Sequence, residues 1–168
     1  IDRAGELVAQ YDKIHLFDVQ LGGGEAYRES AVFAAGAQPV LASLDGVQVG
    51  LSICFDLRFP KLYRHYASEG ASILLVPAAF TRTTGQAHWH SLLRARAIEN
   101  GVFVVAAGQC GRTEAGRETY GHSVIYGPWG ETVGELGDAP GVLTRELDLA
   151  EVARVQSQIP VHPKDQDF

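Results

Sequence analysis

The sequence predicts an α/β fold. Apolar runs with the period of a strand alternate along the chain with runs whose apolar residues recur at three- and four-residue steps. One of the strands, Ile73-Leu74-Leu75-Val76-Pro77, is continuously apolar, as a strand buried on both faces must be. Strand and helix taking turns in this way place helices outside a sheet.

The elements follow in order. Asp2-Arg3-Ala4-Gly5 reads as a turn, residues 7–11 as a strand, and 12–19 as a loop that runs on to Gly22-Gly23-Gly24. Pro39-Val40-Leu41 and residues 47–53 make a hairpin about Asp45-Gly46, a two-residue turn whose members tolerate positive φ. Pro60 suits the first turn of a helix over 60–69, with Leu62, Tyr63, Tyr66 and Ala67 on one face and Gly70 at its end. After the buried strand comes a helix over 86–99, then a strand over 102–107. Strands near 122–126 and 131–136 are split by the turn Gly127-Pro128-Trp129-Gly130. A strand over 142–147 leads into a helix with Asp148 as N-cap and Glu151 three positions on. The tail 159–168 is polar and interrupted by proline, so it cannot pack as an independent element. With 168 residues, 46% of them hydrophobic, the chain suffices for one domain with a real core.

Composition narrows the function. The net charge is −6 and no Lys/Arg cluster exceeds a solvated helix face, which argues against nucleic acid and anionic membrane as partners. No apolar run reaches the length of a membrane span. Two cysteines, Cys54 and Cys110, make no disulfide framework, and the expected compartment is reducing, hence cytoplasmic. No metal or cofactor is expected. His88 and His90 lie two apart on a helix and point to different faces, unlike an i, i+4 chelating pair. Gly22 to Gly24 lacks the Gly-Lys-Ser/Thr that completes a phosphate loop. Arg94, Arg96 and Glu99 are expected to tie the long helix to its neighbours.

Gly50-Leu51-Ser52-Ile53-Cys54-Phe55-Asp56-Leu57-Arg58-Phe59-Pro60 sets a cysteine where a strand ends and a helix begins. Amides opening a helix favour thiolate over thiol, and they leave the Phe55 N–H free to receive a developing oxyanion. On this local pattern Cys54 is either a nucleophile or the small buried hydrophobe that most free cysteines are. Cys110, after an apolar strand, reads as structural.

The surrounding motifs favour the first alternative. Tyr11-Asp12-Lys13-Ile14-His15-Leu16-Phe17-Asp18-Val19, Tyr27-Arg28-Glu29-Ser30 and Cys54 stand in that order. They are followed by His88-Trp89-His90-Ser91-Leu92-Leu93-Arg94-Ala95-Arg96-Ala97-Ile98-Glu99-Asn100, Tyr120-Gly121-His122-Ser123 and Pro128-Trp129-Gly130. Together they resemble the nitrilase, or carbon-nitrogen hydrolase, superfamily. The resemblance implies a four-layer αββα sandwich that associates as a homodimer or higher homo-oligomer. It implies Cys54 as nucleophile, Lys13 as the cation beside it and Glu29 as the carboxylate that holds the lysine. It assigns the stretch Ala79-Phe80-Thr81-Arg82-Thr83-Thr84 to the acyl pocket. There Phe80 would be an apolar wall, Thr84 a hydroxyl and Arg82 a partner for a substrate carboxylate; the alternative for the last two is a solvated loop.

Two further implications follow from the same resemblance. Gly108-Gln109-Cys110-Gly111 and the segment from Tyr120 to Gly130 are similar to the deaminated-glutathione amidases, with the omega-amidases of 2-oxo-dicarboxylic monoamides as runner-up. Family members also carry a first glutamate, the general base, ahead of the lysine motif, and nothing in residues 1–11 matches it. The chain is therefore expected to be the C-terminal portion of one larger hydrolase domain, inactive by itself. A catalytically incomplete relative acting as a binding or structural protein is the alternative.

Overall fold

The computed structural model describes residues 1–22, 26–114 and 116–161. Gly23 and Gly24 of the glycine-rich loop, and the tail beyond 161, lie outside the described residues. Two antiparallel ribbons flank one large sheet. The first ribbon joins β1 (Asp18–Gln20) to β2 (Ala26–Arg28) and leads into a single 3-10 turn over Glu29–Ala31. The large sheet contains β3 (Leu41–Leu44), β4 (Val47–Leu51), β5 (Ile73–Leu75), β6 (Phe103–Ala106), β9 (Val124–Tyr126) and β10 (Thr132–Glu135), in the order β10-β9-β6-β5-β4-β3. The second ribbon, β7 (Cys110–Arg112) with β8 (Glu118–Tyr120), lies between β6 and β9 in sequence. The helices are α1 (Pro60–Ser68), α2 (Arg82–Asn100) and α3 (Ala150–Gln158). None of the described helices is long and apolar enough to cross a membrane.

The centre of the sheet, β4-β5-β6, is parallel because α1 and α2 are the crossovers between its strands; β3, β9 and β10 join antiparallel. Asp45 at φ 50° and Gly46 at φ 84° make the predicted two-residue turn between β3 and β4. Gly50, Leu74, Val104 and Tyr126 are paired across four strands and share one face. That face takes α1 so closely that a Cβ on Gly50 would stand 2.7 Å from the Tyr66 ring. Helix α2 buries Trp89, Leu93 and Ala97 at four-residue steps against the same face. Removing a side chain such as Leu93 from water contributes about 2 kcal/mol. On the opposite face Leu51, Leu75, Val105 and Ile125 are in register, and the first three are only half-buried.

Local chemistry explains where elements start and stop. Helix α2 begins four residues earlier than predicted, because Thr81 Oγ1 accepts the Thr84 N–H as N-cap. It ends at Gly101 in the left-handed region at φ 61°, whose N–H bonds to Ala97 O. Before α3, the Asp148 carboxylate accepts from the Ala150 N–H at 3.0 Å, while Glu151 pairs with Arg154 instead of reaching back.

Three expectations require correction. Residues 7–11 form no strand, since their backbone finds no ladder partner among the described residues. The loop over 12–19 ends as β1. Residues 142–147 also form no strand: Arg145 Nε donates to Val133 O at 3.2 Å, so a side chain occupies the edge of β10 where a strand amide would have bonded.

Candidate active site

Cys54 follows β4 at the start of a 3-10 turn over Cys54–Arg58 that leads into α1. Its φ is 51°, in the left-handed region that costs a non-glycine residue about 1 kcal/mol or more. The surrounding bonds hold it there. The Cys54 N–H donates to Pro77 O at 2.9 Å, Ser52 N–H donates to Leu75 O at 3.1 Å, and the Ser52 hydroxyl shares a 2.7 Å bond with Tyr63 Oη. Arg96, buried in α2, donates Nε and Nη2 to Leu57 O at 3.1 and 2.7 Å, which anchors the far side of the turn. Arg96 also pairs with Glu99 of its own helix, and the expected tie between helix and neighbours is made by its bonds to Leu57 O. The Phe55 N–H, in the first turn, has no partner among the described backbone bonds, as expected of a helix-opening donor.

Lys13 and Glu29 come to the same place from different elements. Lys13 Nζ is ion-paired to Glu29 Oε2, with the lysine side chain only 10% exposed. Glu29 Oε2 also accepts the Phe17 N–H at 2.6 Å, so one carboxylate oxygen holds both the ammonium and the backbone of its loop. Lys13, Glu29 and Cys54 line one cavity of about 380 Å³, with Tyr27, Arg28 and Arg117 around it. A narrower recess behind Cys54 is walled by Phe17, Phe55, Phe80 and Thr84.

Burial pushes the Cys54 thiol above its ordinary range. Lys13, the Ala79 N–H and Arg117 pull in the other direction, and Glu29 adds to the rise. Burial prevails, which corrects the expectation of a thiolate-favouring turn. The physical reason is desolvation of the buried sulfur, the largest influence, to which Glu29, the counter-ion of Lys13, adds the smallest.

Phe80 walls the narrower recess, with its ring 5.0 Å from Trp89. Thr84 also reaches the recess, but from the first turn of α2, and its hydroxyl is bonded to Thr81 Oγ1 at 2.8 Å. Arg82 does not line the cavity: it is exposed at the start of α2, with Nε 3.9 Å from Glu118 Oε2. Besides Lys13, the cations at the cavity are Arg28 and Arg117. Arg117 donates to Ala79 O and lies 5.0 Å over the Tyr27 ring, and its buried Nε has no partner among the described residues.

Asp56 was not singled out in the sequence. It is fully buried, and Oδ2 accepts from Tyr11 Oη at 2.8 Å and from the Ile53 N–H at 2.9 Å. Oδ1 accepts from the backbone and ring of His15, and that ring stacks 3.6 Å from Phe59. One carboxylate therefore fastens the lysine loop to the cysteine turn. The signal was an acidic residue inside Cys54-Phe55-Asp56-Leu57, since an acid among buried neighbours must find donors.

The family model for carbon-nitrogen hydrolases matches residues 1–157. The chain belongs to the carbon-nitrogen hydrolase family. It is 45% identical over 158 residues to the deaminated glutathione amidase of Synechocystis, covering 93% of this chain and 58% of the relative. It is 40% identical over 157 residues to omega-amidase NIT2-A of Xenopus laevis, covering 94% and 57%. Among solved structures, the NitFhit protein of C. elegans superposes with a TM-score of 0.88 at 40% identity, covering 95% of this chain and 39% of that one. The chain thus spans less than three fifths of the length of these carbon-nitrogen hydrolase relatives.

Proposed function

We propose that this chain carries the thiol side of an amidase site, in which Cys54 attacks the amide carbon of a small carboxylate-bearing substrate, deaminated glutathione first. One observation carries the reading: Lys13, ion-paired to Glu29, shares one cavity with a cysteine held in the left-handed conformation. Attack forms a C–S bond and moves an electron pair onto the carbonyl oxygen, beside the Lys13 ammonium and the Phe55 N–H. Collapse expels the amine, which takes up a proton and leaves a thioester. Water then adds to the thioester, releasing the acid and restoring the thiol.

The buried thiol must first lose its proton. Glu29 is the one carboxylate lining the cavity among the described residues, and it is engaged by Lys13 and the Phe17 N–H. The glutamate that the family resemblance places ahead of the lysine motif is the expected acceptor. Glu29 keeps Lys13 aimed, and Arg28 and Arg117 give the cavity the charge to select a carboxylate. Likeness to the deaminated glutathione amidases supports that substrate, and likeness to the omega-amidase supports 2-oxo-dicarboxylic monoamides as the second reading. The same reading makes the protein a cytoplasmic homodimer or higher homo-oligomer that needs no cofactor for the reaction and acts on small molecules, not on nucleic acid or membrane.

Comparing kcat/KM of the full-length protein for the two amides, with an aliphatic nitrile as control, tests the proposal. The deaminated glutathione value is expected to be the larger, with an acyl adduct on Cys54 in quenched reactions by mass spectrometry. Preference for the compact monoamide moves the protein to the second reading. No turnover of either amide makes it a catalytically incomplete relative.

A further inference from the structure

Away from the Cys54 cavity, a second set of side chains converges where α2 passes β9 and β10. His90 of α2, His122 before β9 and Glu135 of β10 each bring one ligand atom within 4.8 Å of the others. His90 Nε2 and His122 Nδ1 stand 3.6 and 3.2 Å from the same oxygen, Glu135 Oε1. Two ligands about 2.0–2.1 Å from a tetrahedral ion are about 3.3 Å apart, so both separations are those of a coordination edge. We infer that His90, His122 and Glu135 form a binding site for a divalent transition-metal ion of the zinc class, completed by one external ligand.

The surroundings fit a ligand set. His90 Nδ1 is 3.0 Å from Tyr126 Oη. With Nδ1–H donating there, the Nε2 lone pair faces the carboxylate, the outer contact that fixes tautomer and ring orientation in metal-bound histidines. His122 is held at φ 54°, with its N–H on Gly137 O, its carbonyl receiving Trp89 Nε1 at 2.8 Å, and its ring stacked 4.3 Å from Tyr120. That strained backbone directs the imidazole into the cluster.

An open cavity of about 420 Å³ beside His90, Ser91 and Arg94 leaves room for the fourth ligand. Arg94, whose guanidinium lies 5.1 Å over the Tyr126 ring, favours water or a small anion there. Two imidazoles and a carboxylate select zinc, cobalt or nickel over the all-oxygen sites that calcium and magnesium require. The expectation of no metal rested on His88 and His90 as a pair. His88 instead bonds Arg58, and the partners of His90 come from distant sequence.

Titration with Co2+ and Zn2+ decides the matter, in the full-length protein and in its Cys54→Ala variant, which lacks the thiol of the other cavity. One equivalent of Co2+ should bind both proteins, give the visible ligand-field absorption of a four- or five-coordinate ion and be displaced by Zn2+. Glu135→Gln, at an exposed edge-strand position, and His122→Asn should each weaken binding about 10- to 100-fold. No stoichiometric binding, binding unchanged in Glu135→Gln, or binding lost in Cys54→Ala would each overturn the inference. Should His122→Asn fail to fold, Glu135→Gln alone carries the comparison.

Discussion

Asp56 accepts two hydrogen bonds from His15, one from its backbone N–H at 3.0 Å and one from its ring Nδ1 at 2.7 Å. Forty-one residues separate the two in sequence, and the bonds set where Lys13 stands relative to Cys54. The contacts cross from the lysine loop to the cysteine turn at a carboxylate sealed from water.

Asp56→Asn should therefore be destabilising by about 1–3 kcal/mol, because an amide nitrogen then faces donors that the carboxylate had satisfied. The urea midpoint measures this. A positioning role has a second signature: the pH profile of Cys54 alkylation should shift upward as Lys13 loses its register. A lower midpoint with an unchanged profile would restrict Asp56 to folding.

Cys54→Ala should abolish turnover in the full-length protein while leaving the fold intact. Iodoacetamide should label Cys54 at a rate that keeps climbing above the ordinary thiol range, since burial holds the proton on sulfur. Lys13→Met removes the largest downward influence and should displace the profile further up. A profile that moves down in Lys13→Met would refute the electrostatic assignment.

Substrate selection should follow Arg117 and not Arg82. Arg117→Gln is expected to raise KM for a carboxylate-bearing amide about tenfold, equivalent to about 1.4 kcal/mol. Arg82→Ala, at an exposed position outside the cavity, should stay within about twofold. Reversed effects would return the carboxylate to Arg82.

Alkaline pH should weaken the fold. Burial raises Tyr11, Tyr63 and Tyr66, the last to about 12. Above about pH 10 the unfolded chain releases these protons and the folded chain keeps them, so stability falls as pH rises. Each such group contributes a slope of at most about 1.4 kcal/mol per pH unit. The stability is fully present below pH 10 and, for Tyr66, is lost between there and about 12. Urea midpoints from pH 8 to 11 should show the decline, and Tyr66→Phe should lessen it. An unchanged slope in that variant would remove Tyr66 from the account.

What could be read from the sequence was mostly local. The Asp45-Gly46 turn, the Pro60 start of α1 and the stripe Trp89, Leu93, Ala97 of α2 are set by residues within a turn or two of one another. The strands expected at 7–11 and 142–147 depended on distant ladder partners that periodicity cannot supply. The ribbon β7–β8 went unread because its residues 110–120 mix glycine, charge and threonine without alternation, and with it went Arg117. Lys13, Glu29 and Cys54 were legible as motifs, whereas their shared cavity and the part played by Asp56 required the fold.

Three non-glycine residues among those described have left-handed backbones: Asp45, Cys54 and His122. Asp45 sits in a hairpin turn that calls for that conformation. At the other two, the substitution that would relax the chain, glycine, also deletes the thiol or the imidazole. Attempts to make this protein more heat-resistant therefore have to leave these two tense positions alone. Exposed helix faces such as that of α3 are where robustness can be added without dismantling what the molecule is built to hold.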